Sequence, residues 1–158
     1  MSSGNVNKQT SGKAAAASNI PEGQLLESEE NFESGKVFLA EQKYSEAIKM
    51  FTKSLNMNKS NYDALFYRAV SNLDSGQPSK AITDLSDLVE KCPDYRKTMF
   101  IVLSIAYRRI NDYQGALRTL SKALLRYPRY IEAYIARGQI YIFQKKWEKA
   151  LSDFRSVI

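Results

Sequence analysis

The chain has 158 residues, 44% of them hydrophobic and 25% charged, with a formal net charge of +6, which is typical of a soluble globular protein with a single domain after a short tail. The absence of histidine removes imidazole catalysis and the commonest metal ligand, and the single cysteine, Cys92, excludes an internal disulfide and any multi-cysteine metal site. The remaining carboxylates, lysines and tyrosines stand beside no glycine-rich phosphate loop or nucleophile motif, so we expect no enzymatic activity, no cofactor and no metal.

The first 22 residues are rich in Ser, Gly, Asn and Ala and contain almost no large apolar side chain. Such a segment cannot offset the entropy lost on ordering, so we predict a flexible N-terminal tail over 1–22. Its four alanines at 14–17 are too few for a signal peptide, and it lacks the arginines of a mitochondrial presequence. Together with the single cysteine, this favours a cytoplasmic protein with no membrane segment.

From residue 23 onward the sequence predicts four pairs of helices and no strand. Pro78 suits a first helical turn, whereas Pro93 and Pro128 each follow a predicted helix end, where a proline stops further helix formation. The predicted helices are 23–42, 44–57, 62–75, 78–92, 97–111, 113–127, 131–145 and 147 onward.

A spaced set of residues recurs four times along these helices. Its anchors are alanines separated by 34, 35 and 34 residues: Ala47, Ala81, Ala116 and Ala150. A small residue stands twelve positions before each anchor: Gly35, Ala69, Ser104 and Gly138. A large apolar residue stands four positions after it: Phe51, Leu85, Leu120 and Phe154. The small residues would let paired helices approach, and the large ones would fill the space that remains.

This pattern resembles the tetratricopeptide repeat (TPR) family over about residues 28–158. The resemblance implies an all-α fold, a right-handed α-solenoid of stacked antiparallel helix pairs, with four repeats at about 28–61, 62–96, 97–130 and 131–158 within a domain from 23 to 158. Departures are local: Asn72 stands where the other repeats have an aromatic residue, and Lys59 replaces the closing proline of the first repeat.

The resemblance also implies that the first helices of the repeats line a concave groove that holds a peptide or a partner's helix. The residues that the repeat register places there are mostly apolar. They are Phe32, Lys36, Phe66, Tyr67, Val70, Ile101, Val102, Ile105, Arg109, Ile135 and Phe143. An apolar groove favours a hydrophobic or amphipathic guest.

Some relatives grip the C-terminal tails of HSP70 and HSP90 chaperones with a clamp of Lys, Asn and Arg. This chain has Phe32 and Lys36 in the first repeat, Tyr67 in the second, and Thr98 and Val102 in the third at the clamp positions. We therefore do not expect an HSP70 or HSP90 tail as the partner.

The stretch MFIVLSIAY at 99–107 is apolar all round and leaves two interpretations open. Its exposed part either binds a partner, or it is covered by the superhelix itself or by the N-terminal segment.

A basic surface is a second candidate site. Residues 62–95 hold three basic against six acidic side chains, whereas 97–130 hold seven against one. Its residues are Arg108, Arg118, Lys122, Arg126 and Arg129. They could attract an acidic protein surface such as tubulin, or form an ordinary solvated helical face. Nucleic acid is not expected, because aromatic residues do not share this face.

We interpret the chain as a protein–protein interaction scaffold or adaptor without chemistry of its own. The alternatives are a regulatory repeat module of an enzyme whose catalytic domain lies beyond residue 158, and a structural subunit of a ciliary or microtubule assembly, the latter by family analogy alone. The sequence ends within the last predicted helix, without a polar capping helix, so we expect a longer protein or a partner that covers Leu151, Phe154 and Val157.

Overall fold

A computed structural model describes residues 19–157, and among them every regular element is an α-helix. The helices are α1 (Glu22–Ala40), α2 (Tyr44–Met57), α3 (Tyr62–Asp74), α4 (Pro78–Lys91), α5 (Thr98–Arg109), α6 (Tyr113–Arg126), α7 (Ile131–Phe143) and α8 (Trp147–Arg155). The predicted tail mostly lies outside the described residues, and its last residue, Glu22, already belongs to α1.

The predicted helix starts agree with the structure to within one residue, but most predicted ends are one or two residues too long. The first helix of each pair ends in a turn with a residue at positive φ, five positions before the anchor alanine: Gln42, Gly76, Asn111 and Lys145. After α1, for example, the Lys43 amide donates to the Phe38 carbonyl at 2.9 Å, and the Gln42 amide donates to Leu39 at 2.9 Å. These two bonds define a Schellman turn, which satisfies the last carbonyls of the helix.

The described residues form two compact units, one ending at Ala64 and the other beginning at Leu65, within α3. In the first unit, α1 and α2 are antiparallel. The Ser28 hydroxyl, near the start of α1, donates to the Ser54 carbonyl near the end of α2 at 2.9 Å. In the middle of the pair, the rings of Phe32 and Phe51 lie 5.9 Å apart, so α1 and α2 enclose an aromatic core.

The second unit builds its core from the small and apolar positions of the repeat. Ala81 and Ala116 are fully buried and Ala150 is 3% exposed, as expected where two helices cross closely. Around them lie the largest fully buried side chains of this unit: Leu85, Leu88, Met99, Phe100, Leu120 and Ile140. Helices α5 to α8 pack in chain order, and α5 also contacts α7. The expected all-α fold of helix pairs is confirmed; the division of 23–158 into one domain of four repeats stays a prediction.

Candidate functional site

One face of α5 carries three partly exposed apolar side chains among the predicted groove residues of the second unit. Met99, Phe100 and Leu103 of this helix are buried, whereas Ile101, Val102 and Ile105 are half-buried. The helix that is apolar all round therefore uses one side for packing and leaves the other partly exposed. Val70 on α3 is half-buried too, and Ile135 on α7 is 39% exposed. We call Val70, Ile101, Val102, Ile105 and Ile135 the first-helix surface.

Phe66 and Tyr67 form an aromatic cluster with the loop that precedes α5. The Phe66 ring is 6% exposed and lies 5.5 Å from the Tyr67 ring and 6.2 Å from the Tyr95 ring. The Arg96 guanidinium stands 4.7 Å from the Phe66 centroid, a cation–π distance. Phe66 was predicted to line the groove, but the burial of its ring means that it supports this cluster; the half-buried Tyr67 offers the accessible part.

Two further predicted groove residues connect helices. The Arg109 guanidinium, at the end of α5, donates a 2.6 Å hydrogen bond to the Leu73 carbonyl in the last turn of α3, where a cation is favourable. Phe143, at the end of α7, is 66% exposed, and its ring stacks on the Tyr113 ring with the two ring centroids 4.7 Å apart. Arg109 therefore ties α3 to α5, and Phe143 ties α7 to the start of α6.

In the first unit, the predicted groove residues Phe32 and Lys36 lie one turn apart on α1. Phe32 is buried at 7% exposure, and the Lys36 ammonium lies 4.9 Å from its ring centroid and 2.7 Å from a Glu33 carboxylate oxygen. Lys36 thus covers Phe32, and the accessible surface here is charged.

The predicted basic surface consists of exposed side chains, two of which have an acidic partner: Arg118 lies 4.0 Å from Asp112, and Arg126 pairs with Asp94. Arg108, Arg118, Lys122 and Arg129 are exposed, whereas Arg126 forms a bidentate ion pair with Asp94. The Arg126 hydrogen bonds hold the pKa of the Asp94 carboxyl below its usual value and raise the pKa of Arg126. Because Asp94 lies between α4 and α5 and Arg126 is the last residue of α6, the pair joins the α4–α5 loop to the end of α6.

Tyr130, the residue after Arg129 of this surface, is buried. Its side chain is 2% exposed, and the Lys97 ammonium lies 4.7 Å from its ring centroid. Burial, aided by the negative charge of Glu132, raises the pKa of Tyr130 to about 12. The phenol therefore stays protonated far above neutral pH and acts as a packing residue.

Sequence reasoning missed two ion pairs with the same spacing, each between a half-buried arginine and a buried aspartate. Arg68 binds Asp84 and Arg137 binds Asp153, each through two hydrogen bonds between the two helices of one pair. The repetition of an Arg–Asp pair sixteen residues apart was the available signal. Hydrogen bonding to Asp153 raises the pKa of Arg137.

Within 19–157, no group of three or more cysteine and carboxylate side chains is placed to hold a metal ion, and no helix combines the length and apolar character that crossing a bilayer requires. Cys92 is a free, half-buried thiol.

A family model described as tetratricopeptide repeat matches residues 32–96 and 101–158. No curated protein sequence matches the chain significantly.

Solved structures of TPR proteins share the fold. MamA of Desulfovibrio magneticus is 19% identical with a TM-score of 0.75, over 82% of this chain and 73% of that one. A thermophilic TPR protein of Thermus thermophilus, TTC0263, is 24% identical with a TM-score of 0.65, over 82% and 72%. YrrB, described as a TPR protein with an unusual peptide-binding site, is 20% identical with a TM-score of 0.72, over 87% and 69%.

Proposed function

Because the chain belongs to the tetratricopeptide repeat family, whose fold serves generally as a protein–protein interaction scaffold, we propose that its first-helix surface binds an apolar or amphipathic segment of a partner protein. The partly exposed face of α5 carries this proposal. Ile101, Val102 and Ile105 are β-branched apolar side chains that keep part of their area in contact with water, although the same helix buries its other side. Covering that area with a partner's apolar side chains would be favourable.

The neighbouring helices support the same surface. Val70 extends it onto α3 and Ile135 extends it onto α7, a helix that contacts α5. Arg109 joins α5 to the end of α3, so the two helices are held together before any guest binds. A preorganised surface loses less entropy on binding than a mobile one. YrrB offers a precedent for peptide binding on this fold. The lone cysteine supports a reducing compartment such as the cytoplasm.

The proposal is tested by quantitative affinity capture from cells with the wild-type protein, Val102→Ser/Ile105→Ser and a matched control, Leu26→Ser/Val37→Ser. Leu26 and Val37 are exposed apolar residues of α1 outside the first-helix surface. We expect specific partners to be lost from the first variant and retained by the control, with at least about tenfold weaker binding when the purified partner is titrated. Equal capture by both variants would exclude the first-helix surface, provided that both retain the wild-type melting temperature.

A further inference from the structure

The turn between α7 and α8 leaves two large aromatic side chains in contact with solvent. Phe143, the last residue of α7, is 66% exposed, and Trp147, the first residue of α8, is 60% exposed. Ile142, next to Phe143, is 43% exposed. Exposed apolar side chains that lie together, rather than singly, often mark a surface that another molecule covers. The turn is therefore a candidate binding surface.

The Phe143 ring is held in place before any ligand binds. It stacks on the ring of Tyr113, the first residue of α6, with the two planes inclined by 26°. Most of Phe143 nevertheless stays exposed. Because a fixed side chain loses little conformational entropy when it is covered, Phe143 suits the role of an anchor for a partner.

Three exposed lysines lie in the same turn. Lys145, Lys146 and Lys149 line one open depression together with Trp147, and the single acidic residue of its lining is Glu148. None of the three lysines pairs with a carboxylate of the residues that the structure describes. The depression therefore carries a net positive charge beside an exposed indole ring.

The turns of the first and third repeats use carboxylates of their own. In the first, Glu41 and Lys43 form an ion pair at 2.7 Å. In the third, the Asp112 carboxylate accepts a hydrogen bond from the Gly115 amide at 2.7 Å and caps α6. The α7–α8 turn instead leaves its lysines available to the carboxylates of a partner. We call its exposed aromatic and basic residues the α7–α8 turn surface: Phe143, Lys145, Lys146, Trp147 and Lys149.

We propose that the α7–α8 turn surface is a second binding site, which takes an acidic segment of a partner protein. Apolar side chains of the segment cover Phe143 and Trp147, while its carboxylates pair with the lysines. The net positive charge favours an acidic ligand, and the exposed aliphatic Ile142 favours protein side chains over nucleotide bases, because bases stack on flat rings. This surface shares no residue with the first-helix surface, so each site can fail without the other.

The fluorescence of Trp147 reports directly on this surface, because the chain contains no other tryptophan. Two peptides are titrated into the unmodified protein. Both carry four acidic residues on each side of a central pair, which is leucine–leucine in one and serine–serine in the other. At low salt we expect the leucine peptide to shift the emission to shorter wavelength and to bind at least about tenfold more tightly than the serine peptide. Equal affinities, or no shift up to about 1 mM leucine peptide, would overturn the proposal.

Other anionic ligands test the class of partner. Single-stranded DNA with the same charge as the leucine peptide, and vesicles that contain phosphatidylserine, are titrated in the same way. We expect both to shift the Trp147 emission less than the leucine peptide does at an equal concentration of negative charge. A stronger response to either one would assign the surface to nucleic acid or to a membrane, and the proposal would be wrong.

Variants that remove two lysines test the ion pairs. Lys145→Gln/Lys146→Gln takes two charges from the turn surface, and Lys49→Gln/Lys53→Gln takes two exposed charges from α2 as a matched control. We expect the first variant to bind the leucine peptide at least about fivefold more weakly and the control to bind it like the wild type. Equal weakening in both variants would show that only the net charge of the protein is recognised.

A second pair of variants tests the apolar contact. Phe143→Ser should weaken binding of the leucine peptide at least about fivefold, whereas Leu125→Ser, at a residue of α6 that is 86% exposed, should not. If Phe143→Ser folds and binds like the wild type, the aromatic anchor is excluded. If it does not fold, the lysine variants and the two peptides still decide.

Discussion

At the scale of single residues, small and large side chains are matched within each helix pair. A Cβ placed on Gly35 would lie 2.5 Å from the nearest Phe51 ring atom, and one placed on Gly138 would lie 2.7 Å from the Phe154 ring. The second and third repeats combine Ala69 or Ser104 with the smaller leucine at the partner position. Glycine is therefore needed where the partner is phenylalanine, because no other side chain leaves room for the ring.

This matching predicts a coupled pair of substitutions. Gly35→Ala should cost about 1–3 kcal/mol of unfolding free energy, because the new methyl group collides with the Phe51 ring. In a Phe51→Leu background the same change should cost less, with a coupling energy of about 0.5–3 kcal/mol. Urea denaturation of the four proteins of this cycle measures the coupling. Additive effects would show that the two side chains do not constrain each other.

Tyr130 predicts a stability change at high pH. The pKa of Tyr130 is about 12 in the folded protein, above the value near 10 in the unfolded chain. The contribution of this difference to the free energy of unfolding is therefore fully present below about pH 10 and is lost as the pH rises to about 12. Relative to the Tyr130→Phe variant, the wild-type protein should lose up to about 2 kcal/mol of unfolding free energy across this pH range. Denaturation of both proteins at several pH values measures the difference, and parallel curves would contradict the buried phenol.

At the scale of elements, the turn inside each helix pair has one geometry but four different residues. Only the second repeat has glycine at positive φ, whereas Gln42, Asn111 and Lys145 adopt φ near 60°. A left-handed conformation costs a residue with a side chain about 1–2 kcal/mol, and asparagine less. The turns persist because the Schellman hydrogen bonds and the packed helices on both sides hold them.

Lys145→Gly should therefore stabilise the protein by about 0.5–1 kcal/mol, since the strain relieved exceeds the added chain entropy of glycine. The reciprocal change, Gly76→Ala, introduces a side chain at φ 78° and should destabilise it, although no atom crowds the new methyl group. Thermal unfolding of both variants is the measurement. A loss of stability in Lys145→Gly would mean that the lysine makes a contact worth more than the strain.

For the Arg137–Asp153 pair we predict that a second substitution restores the stability lost in the first. Arg137→Leu leaves a buried carboxylate without its partner and should cost about 3–5 kcal/mol. Adding Asp153→Thr copies the combination of the third repeat, where Leu103 and Thr119 stand 34 residues before this pair, and should recover most of that loss. Chemical denaturation of the single and double variants tests this, and a double variant as unstable as the single one would show that the two repeats are not interchangeable here.

At the scale of the whole molecule, the response to ionic strength should test whether binding at the first-helix surface is apolar. Apolar contact responds little to salt, whereas ion pairs between exposed side chains are screened. Raising the salt from about 0.05 to about 0.5 M should therefore leave the affinity of an apolar partner nearly unchanged. Titrations at both salt concentrations measure this, and a strong fall in affinity would show that charged side chains carry the binding.

The sequence alone determined the repeat period, the helix pairs and the buried anchors such as Ala116, because these depend on spacing along the chain and on side-chain size. Only the tertiary structure decided that Phe66 is covered by Arg96 and that Val102 stays half-buried. Burial at those positions depends on side chains that are about 30 residues away in the chain or that belong to neighbouring helices. Local periodicity carries no information about which of those side chains come into contact.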